Sequence, residues 1–455
     1  MVQILKRTGN TVFYNASGLE EYFPDQRIFF KLEGTNPTGR IQDRLAAALV
    51  KEAKQLGFYT ISVASLGPLG ESIAYVSSTM DMKCIIYMPE KSFEKKKSWF
   101  HMEGVTIVEK GKTYNDSFQF SFADAKKNGW YNANPGYDNI GISNAVYGEI
   151  AEEIVKKTIV NPDNLFMFLG DGALALAMHN GFRVLWHKGI IDRIPKIHAV
   201  CTEKDNNIYK AFLEGSEDVK DAYSETIKGR KVNRSTFKYK ITDAQGVLNA
   251  VYDSGGSIIC ADKNQIFRYS ELIKKREHIK IKSRGCIAFQ GFDILFNEGK
   301  IKPNSINVFL MEDGQPAIEV RELSNLSENE KESYIHIVME FLAEYGDDYN
   351  CTKEAVENAL KSGFVLGAYT GNKITGVCVI VKMPMSQVIP QYHLVYIGSD
   401  LNKGSRGIGT LLMKKAIELT EGDFSLHVDL KNNKAIRVYE KMGLAKSYVR
   451  MIYKK

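Results

Sequence analysis

A Gly-rich turn near the C-terminus carries the pattern best suited to holding an anion. Residues 393–397 (His-Leu-Val-Tyr-Ile) read as a short extended run. A loop rich in Gly, Asn, Lys and Ser follows and ends in Arg406-Gly407-Ile408-Gly409-Thr410. It feeds an amphipathic helix on which Leu411, Leu412, Ala416 and Leu419 recur at helical spacing. Such a turn aims successive backbone N–H groups outward at the positive end of the helix dipole, a cradle for a pyrophosphate. Glycine there lets a ligand approach the backbone closely. The same turn also suits an ordinary tight strand-to-helix connection. On the strand, His393 and Tyr396 carry groups able to take a proton, directly or through water. They are an odd number of residues apart, so a regular strand faces them to opposite sides.

The surrounding pattern supplies elements to position this turn. The acidic, Gly- and Pro-containing run Met311-Glu312-Asp313-Gly314-Gln315-Pro316 follows a strand at 307–310 and reads as a linker. A strand at 318–321 opens a new pattern. Residues 328–344 form a predicted helix with Tyr334, Ile337, Val338 and Phe341 on one side. A second helix spans 352–361, capped by Cys351-Thr352, with Glu354 in its first turn. Strands follow at 364–369, 375–382 and 392–397, and another at 425–430.

The last of these strands leads into Asn432-Asn433-Lys434-Ala435 and Tyr439-Glu440-Lys441-Met442-Gly443-Leu444. This segment resembles the GNAT family of acetyl-CoA-dependent N-acyltransferases, with its Asn-x-x-Ala … Tyr-x-Lys-x-Gly-Phe signature and Leu444 in place of Phe. The turn matches that family's Arg/Gln-x-x-Gly-x-Gly/Ala loop as Gly407-Ile408-Gly409. The leading basic position is Gly404 here, with Lys403 beside it. The resemblance covers roughly residues 317–455. It implies an α/β domain with a mixed sheet that uses acetyl-CoA as co-substrate. Lys403, Arg406, Gly407, Ile408, Gly409, Thr410 and Asn432 would hold the CoA. Val395 and Ile397 would line it, with backbone N–H groups of 395–399 on the oxyanion. Tyr439 would protonate the departing thiolate, and the base would be His393 or Tyr396. The acceptor amine would enter past Glu340, Glu344, Asp347 and Asp348, acidic residues that also suit a solvated helix end.

The chain has 455 residues, enough for two or three domains, and its 44% hydrophobic and 25% charged content indicates globular cores. A net charge of +6 with dispersed lysines does not point to nucleic acid. The six cysteines show no paired metal spacing and read as buried thiols. The start lacks an apolar signal core and no long apolar span follows, so no membrane partner and a cytoplasmic location are expected.

Residues 28–33, 61–64, 84–88 and 105–108 read as strands, alternating with helices at 40–57, 71–79 and a lysine-rich one from Pro89 to about Gly104. A second set follows with strands 165–169 and 197–201 around a helix ending near Phe182. Alternation of this kind argues for parallel sheets built from βαβ units.

Together, residues from about Gly9 to Asp313 resemble the fold type II PLP enzymes, the threonine synthase and cysteine synthase family. Gly9-Asn10-Thr11 is similar to that family's Gly-Asn-Thr-Pro. The run from Lys31 through Gly39 matches its strand and turn, Asp43-Arg44 the end of that motif, and Met88-Pro89-Glu90 its third strand end. The resemblance implies two three-layer α/β subdomains with mostly parallel sheets over 1–315, followed by the GNAT domain over 316–455, and commonly a homodimer.

Three positions depart from that family. Gln42 stands where its Ser-Phe-Lys-Asp-Arg run has the Schiff-base lysine, and a carboxamide cannot attack an aldehyde. Leu66-Gly67-Pro68 stands for its Ser-Gly-Asn loop, and Pro68 offers no side-chain hydrogen bond. Its phosphate loop reads Gly170-Asp171-Gly172, with a carboxylate facing a dianion. The expectation is an N-acetyltransferase for a small amine or amino acid, with a catalytically silent first domain and no bound PLP. Two alternatives stay open: that domain senses an amino acid and regulates the transferase, or it is an active PLP lyase or synthase using another lysine, with Lys31 in range.

Overall fold

The computed structural model describes residues 8–90, 92, 102–136, 139–158, 161–170, 172–219, 244–370, 373–384, 390–400, 407–429 and 432–447. The chain forms two compact units, Met1–Gln315 and Pro316–Lys455.

In the first unit, β1 (Val12–Asn15) and β2 (Gln26–Leu32) precede α1 (Gln42–Gln55), β3 (Thr60–Ala64), α2 (Pro68–Thr79), β4 (Lys83–Met88) and β5 (Val105–Glu109). Then come α3 (Tyr114–Asn128), β6 (Tyr131–Asn132), α4 (Ile140–Val155), β7 (Asn164–Phe168), α5 (Ala173–His187) and β8 (Lys196–Cys201). The unit closes with α6 (Asn207–Leu213), α7 (Ala244–Asp253), β9 (Ser257–Cys260), α8 (Ile266–Glu277), α9 (Ile287–Asn297) and β10 (Ser305–Met311). Two sheets result. One has order β1-β2-β10-β7-β8-β9, parallel except for β1, and the other has order β5-β4-β3-β6, all parallel.

Alternation along β10 shows how the larger sheet is covered on both faces. Val308 and Leu310 join the core shared with α1, α2, α4 and α5, whereas Phe309 and Met311 join a second core with Phe289 and Phe292 of α9. These near-continuous apolar strands are what a sheet buried on both faces requires. Helix α2 begins earlier than the expected residue 71 because Pro68 takes its first position, where the missing N–H costs nothing. The expected lysine-rich helix after Pro89 lies mostly outside the described residues.

The second unit contains β11 (Ile318–Glu322), α10 (Glu328–Leu342), α11 (Tyr349–Ser362), β12 (Phe364–Thr370), β13 (Lys373–Lys382), β14 (Tyr392–Ser399), α12 (Ile408–Leu419), β15 (Phe424–Leu426) and α13 (Asn433–Lys441). Its sheet runs in the order β11-β12-β13-β14-β15, antiparallel except for the parallel pair β14/β15. One face packs on α10 and α11 through Tyr334, Ile335, Val338 and Val356. The other packs on α12 through Ile408, Leu412, Met413 and Ala416. Helix α11 is capped not by Cys351-Thr352 but by Asp348, whose carboxylate accepts the Cys351 N–H at 2.9 Å; an acidic side chain is the stronger cap.

Among the described residues no helix is long and apolar enough to cross a membrane. No group of three or more His, Cys, Asp and Glu among them could hold a metal ion.

Candidate active site

In the second unit the sheet opens along β14. That strand pairs with β15 only through Tyr392, His393 and Leu394, yet with β13 as far as Ser399. Beyond Leu394, β14 therefore has no strand partner on the β15 side among the described residues. A bulge lies at the same place: Val379 pairs with Tyr396 and the next residue, Ile380, with Leu394, leaving Val395 as the extra residue. The bulge switches the alternation. Leu394 belongs to the α12-side core and Tyr396, two residues on, to the α10/α11-side core. His393, next to Leu394, thus faces the same side as Tyr396. The expectation that the two face opposite sides is corrected, because it assumed a regular strand.

Their surroundings differ. The Tyr396 hydroxyl donates to Asp347 at 2.8 Å, and burial together with that carboxylate raises its pKa well above the ordinary tyrosine range. Nδ1 of His393 lies 2.9 Å from the Ser425 hydroxyl. The His393 ring centroid lies 4.6 Å from that of His427, an exposed residue just past β15 that the sequence reading did not single out. Of the acidic residues expected on the acceptor side, Asp347 is engaged by Tyr396, Asp348 caps α11 and Glu340 is exposed. The Glu344 side chain lies outside the description.

On the opposite face, Tyr439 of α13 packs against the α12-side core. Burial, and then the neighbouring Cys378 thiol, push its pKa up to about 12, so the phenol keeps its proton at neutral pH. Gly407 precedes α12 with φ 94°, a left-handed conformation that favours glycine. The first hydrogen bond into the helix runs from the Leu411 N–H to the Gly407 carbonyl, so the N–H groups of Ile408, Gly409 and Thr410 precede the helical ladder. The Ile408 side chain is buried in the core, so only its backbone can serve a ligand. Val395 and Ile397 are half-buried on opposite faces. Asn432 caps α13, its side-chain oxygen accepting the Ala435 N–H at 3.1 Å. Lys403 and Arg406 lie outside the described residues.

In the first unit the region around Gln42 is built from β2, α1, α2 and α4. Gln42 is the half-buried first residue of α1. Arg44, one residue past Asp43, turns inward and joins Lys31, Glu33 and Glu153 in a buried ionic cluster. Arg44 Nε lies 2.7 Å from Glu33 Oε2, Arg44 Nη1 2.8 Å from Glu153 Oε1, and Lys31 Nζ 2.6 Å from Glu153 Oε2. Lys31 also donates to the Thr11 carbonyl at 3.0 Å. Burial opposes the Glu153 charge, but Arg44 and Lys31 outweigh it and hold that carboxyl at about 2. Burial lowers the Lys31 pKa, although Glu33 and Glu153 oppose the shift.

Asp43 accepts from the Thr38 N–H and hydroxyl, each at 2.6 Å, which ties the 34–39 turn to α1. Gly34 in that turn lies where a Cβ would come within 2.4 Å of the Gly314 backbone, so the turn requires glycine. At the start of α2, the Ser65 hydroxyl accepts the Gly70 N–H at 2.9 Å and the Gly67 N–H at 3.3 Å. Pro68 has no N–H to offer. Arg40 closes across to Glu71 of α2 at 2.5 Å. Gly172 is left-handed before α5, while Gly170 ends the preceding loop and Asp171 lies outside the described residues.

Not all cysteines are buried thiols as expected: Cys351 is exposed and Cys260 is partly so. Cys201 and Cys260 are register partners on β8 and β9.

Comparison with known proteins agrees with both halves. The profile of the pyridoxal-phosphate dependent enzyme family matches residues 4–313, and that of the acetyltransferase (GNAT) family matches residues 326–444. Threonine synthase of Methanocaldococcus jannaschii is 25% identical over 303 residues, covering 64% of this chain and 71% of its own. Threonine synthase of Methanosarcina acetivorans is 24% identical over 333 residues, covering 69% and 78%. Among solved structures, the processed form of threonine deaminase isoform 2 from Solanum lycopersicum aligns with a TM-score of 0.55 at 17% identity, over 76% of this chain and 86% of that one. This last likeness speaks to fold alone. With the matched profile spanning most of its length, the chain belongs to the pyridoxal-phosphate dependent enzyme family and carries a GNAT acetyltransferase domain after it.

Proposed function

We propose that the protein is an acetyl-CoA-dependent N-acetyltransferase for a small amine or amino acid, and that its PLP-enzyme-like unit does no Schiff-base chemistry. The observation that carries the first part is the parting of β14 from β15 after the Leu394/Leu426 pair, with the bulge at Val395 beside it. In this reading the pyrophosphate of acetyl-CoA rests on the N–H groups at the start of α12, and its thioester enters the gap. The acceptor amine attacks the carbonyl carbon, backbone N–H groups of 395–399 steady the oxyanion, and the C–S bond breaks. Tyr439, which holds its proton at neutral pH, donates to the thiolate.

The second part rests on a poor fit between the first unit and a covalently held PLP. PLP supplies an electrophilic aldehyde and an electron-accepting ring, and a Schiff base to it needs an amine. Gln42 has none. The Lys31 amine is 1% exposed and committed to Glu153 and Thr11. At α2, Pro68 removes one N–H and Ser65 occupies two more.

The test of the first part is acetyl-CoA binding to the full chain by calorimetry, followed by CoA thiol release across a panel of amino acids and polyamines. Binding with amine-dependent thiol release is expected. Absence of binding overturns the reading.

A further inference from the structure

A primary amine reaches an acyltransferase mainly as the ammonium ion and must lose a proton before it can attack. Tyr439 lies on the α12 side of the sheet and suits the departing sulfur. A base therefore belongs on the other face, that of α10 and α11. Tyr396 is on that face, but its hydroxyl is already given to Asp347 and holds its proton firmly. Among the described residues two imidazoles remain on the strands of that face, while His336 of α10 lies against Glu332 at 3.3 Å. His393 is the middle residue of the three that pair with β15, and Ser425 is its register partner. His427 is the first residue past the last pair, where the strands part, and it is exposed. Alternation places Ser425 and His427 on the His393 side, since Leu426 between them belongs to the α12-side core.

We propose that His427 is the general base that takes the proton from the incoming ammonium, with His393 and Ser425 as positioning residues; this rests on the acetyltransferase reading above. The Ser425 hydroxyl at 2.9 Å fixes the His393 ring through Nδ1. The fixed ring packs against its neighbour in a tilted contact, at a centroid distance of 4.6 Å and an interplanar angle of 56°. The charged groups flanking β15 are Asp423 and Asp429, both exposed, and on the same face of β14 Asp347 is engaged by Tyr396. One proton passes from R–NH3+ to the imidazole and on to solvent, the amine forms the C–N bond, the adduct's second N–H proton passes to the imidazole as the C–S bond breaks, and that proton returns through solvent to the Tyr439 phenolate. Tyr439 supplies the thiolate proton from the opposite face.

The experiment uses the full chain with acetyl-CoA and ethylamine, following thiol release from pH 5 to 9. Calorimetry of acetyl-CoA binding is run on each protein. Wild type should show a limb that rises through the imidazole range. His427→Gln should bind acetyl-CoA as wild type does, lose that limb and slow by about 10²-fold, the usual scale for a lost acid–base group. His393→Gln should lower kcat while leaving acetyl-CoA affinity and the KM for ethylamine unchanged, a split that a purely structural role would not give. Equal rates in wild type and His427→Gln, zero included, with acetyl-CoA bound in both, overturn the base assignment and leave the transferase reading standing. No acetyl-CoA binding by wild type overturns both.

Discussion

The Lys31 ammonium lies 2.6 Å from the Glu153 carboxylate, and that contact closes a four-residue ionic cluster linking β2, α1 and α4. An amine held this way is not available to an aldehyde. Incubation with PLP, borohydride reduction and mass spectrometry should therefore show no pyridoxyl adduct on Lys31. A stoichiometric adduct on any lysine would overturn the silent assignment of the first unit.

The same cluster should matter for folding. Arg44→Met removes the cation shared by the buried Glu33 and the part-buried Glu153 and leaves Lys31 as the cluster's remaining cation. Removing one partner of a buried ionic network costs about 3–5 kcal/mol. Chemical denaturation should show a loss of that size in the transition of the first unit. A loss below about 1 kcal/mol would show that the cluster contributes little.

Two carboxyls set opposite pH dependences. Glu153 is held at about 2, below its unfolded value, so its contribution is present above the unfolded pKa and lost as pH falls through about 2. Glu277, only 2% exposed, is raised to about 7 by burial, with the neighbouring Tyr14 hydroxyl opposing the shift. Its contribution is full below the unfolded value and lost as pH rises through about 7, a change of about 3 kcal/mol at 1.4 kcal/mol per pKa unit. Glu277→Gln, which mimics the protonated form, should flatten the decline in stability between pH 5 and 8. Parallel curves for wild type and variant would exclude Glu277 as its source.

Gly409→Asp places a carboxylate at the start of α12, where a Cβ meets nothing within 4 Å. The fold should survive while acetyl-CoA binding, measured by calorimetry, is abolished by charge. Gly407→Asp adds strain at φ 94° and should lose stability as well. Unchanged affinity in Gly409→Asp would move the pyrophosphate elsewhere.

Tyr439→Phe keeps the ring in its core and removes the donor. The kcat for thiol release should fall by about 10²-fold with little change in KM for acetyl-CoA. Stability should change by about 1 kcal/mol or less. Wild-type turnover would leave Tyr439 as packing and make water the proton source.

Local chemistry made much of this protein legible in its sequence. Period-2 and period-3.6 patterns and the Gly34 and Gly407 turns need only neighbouring residues to express themselves. So do the Gly-containing run before Pro316 and the absence of an amine at Gln42. Tertiary structure decided what depends on registration between distant strands. The bulge at Val395 arises from how β13 and β14 pair, and it moved Tyr396 to the face of His393. The contact between His393 and His427, the adjacency of Cys201 and Cys260, and the commitment of Lys31 to Glu153 each join residues far apart in the chain. Side-chain direction on a strand reverses with a one-residue shift, so such contacts are set by long-range packing rather than by spacing.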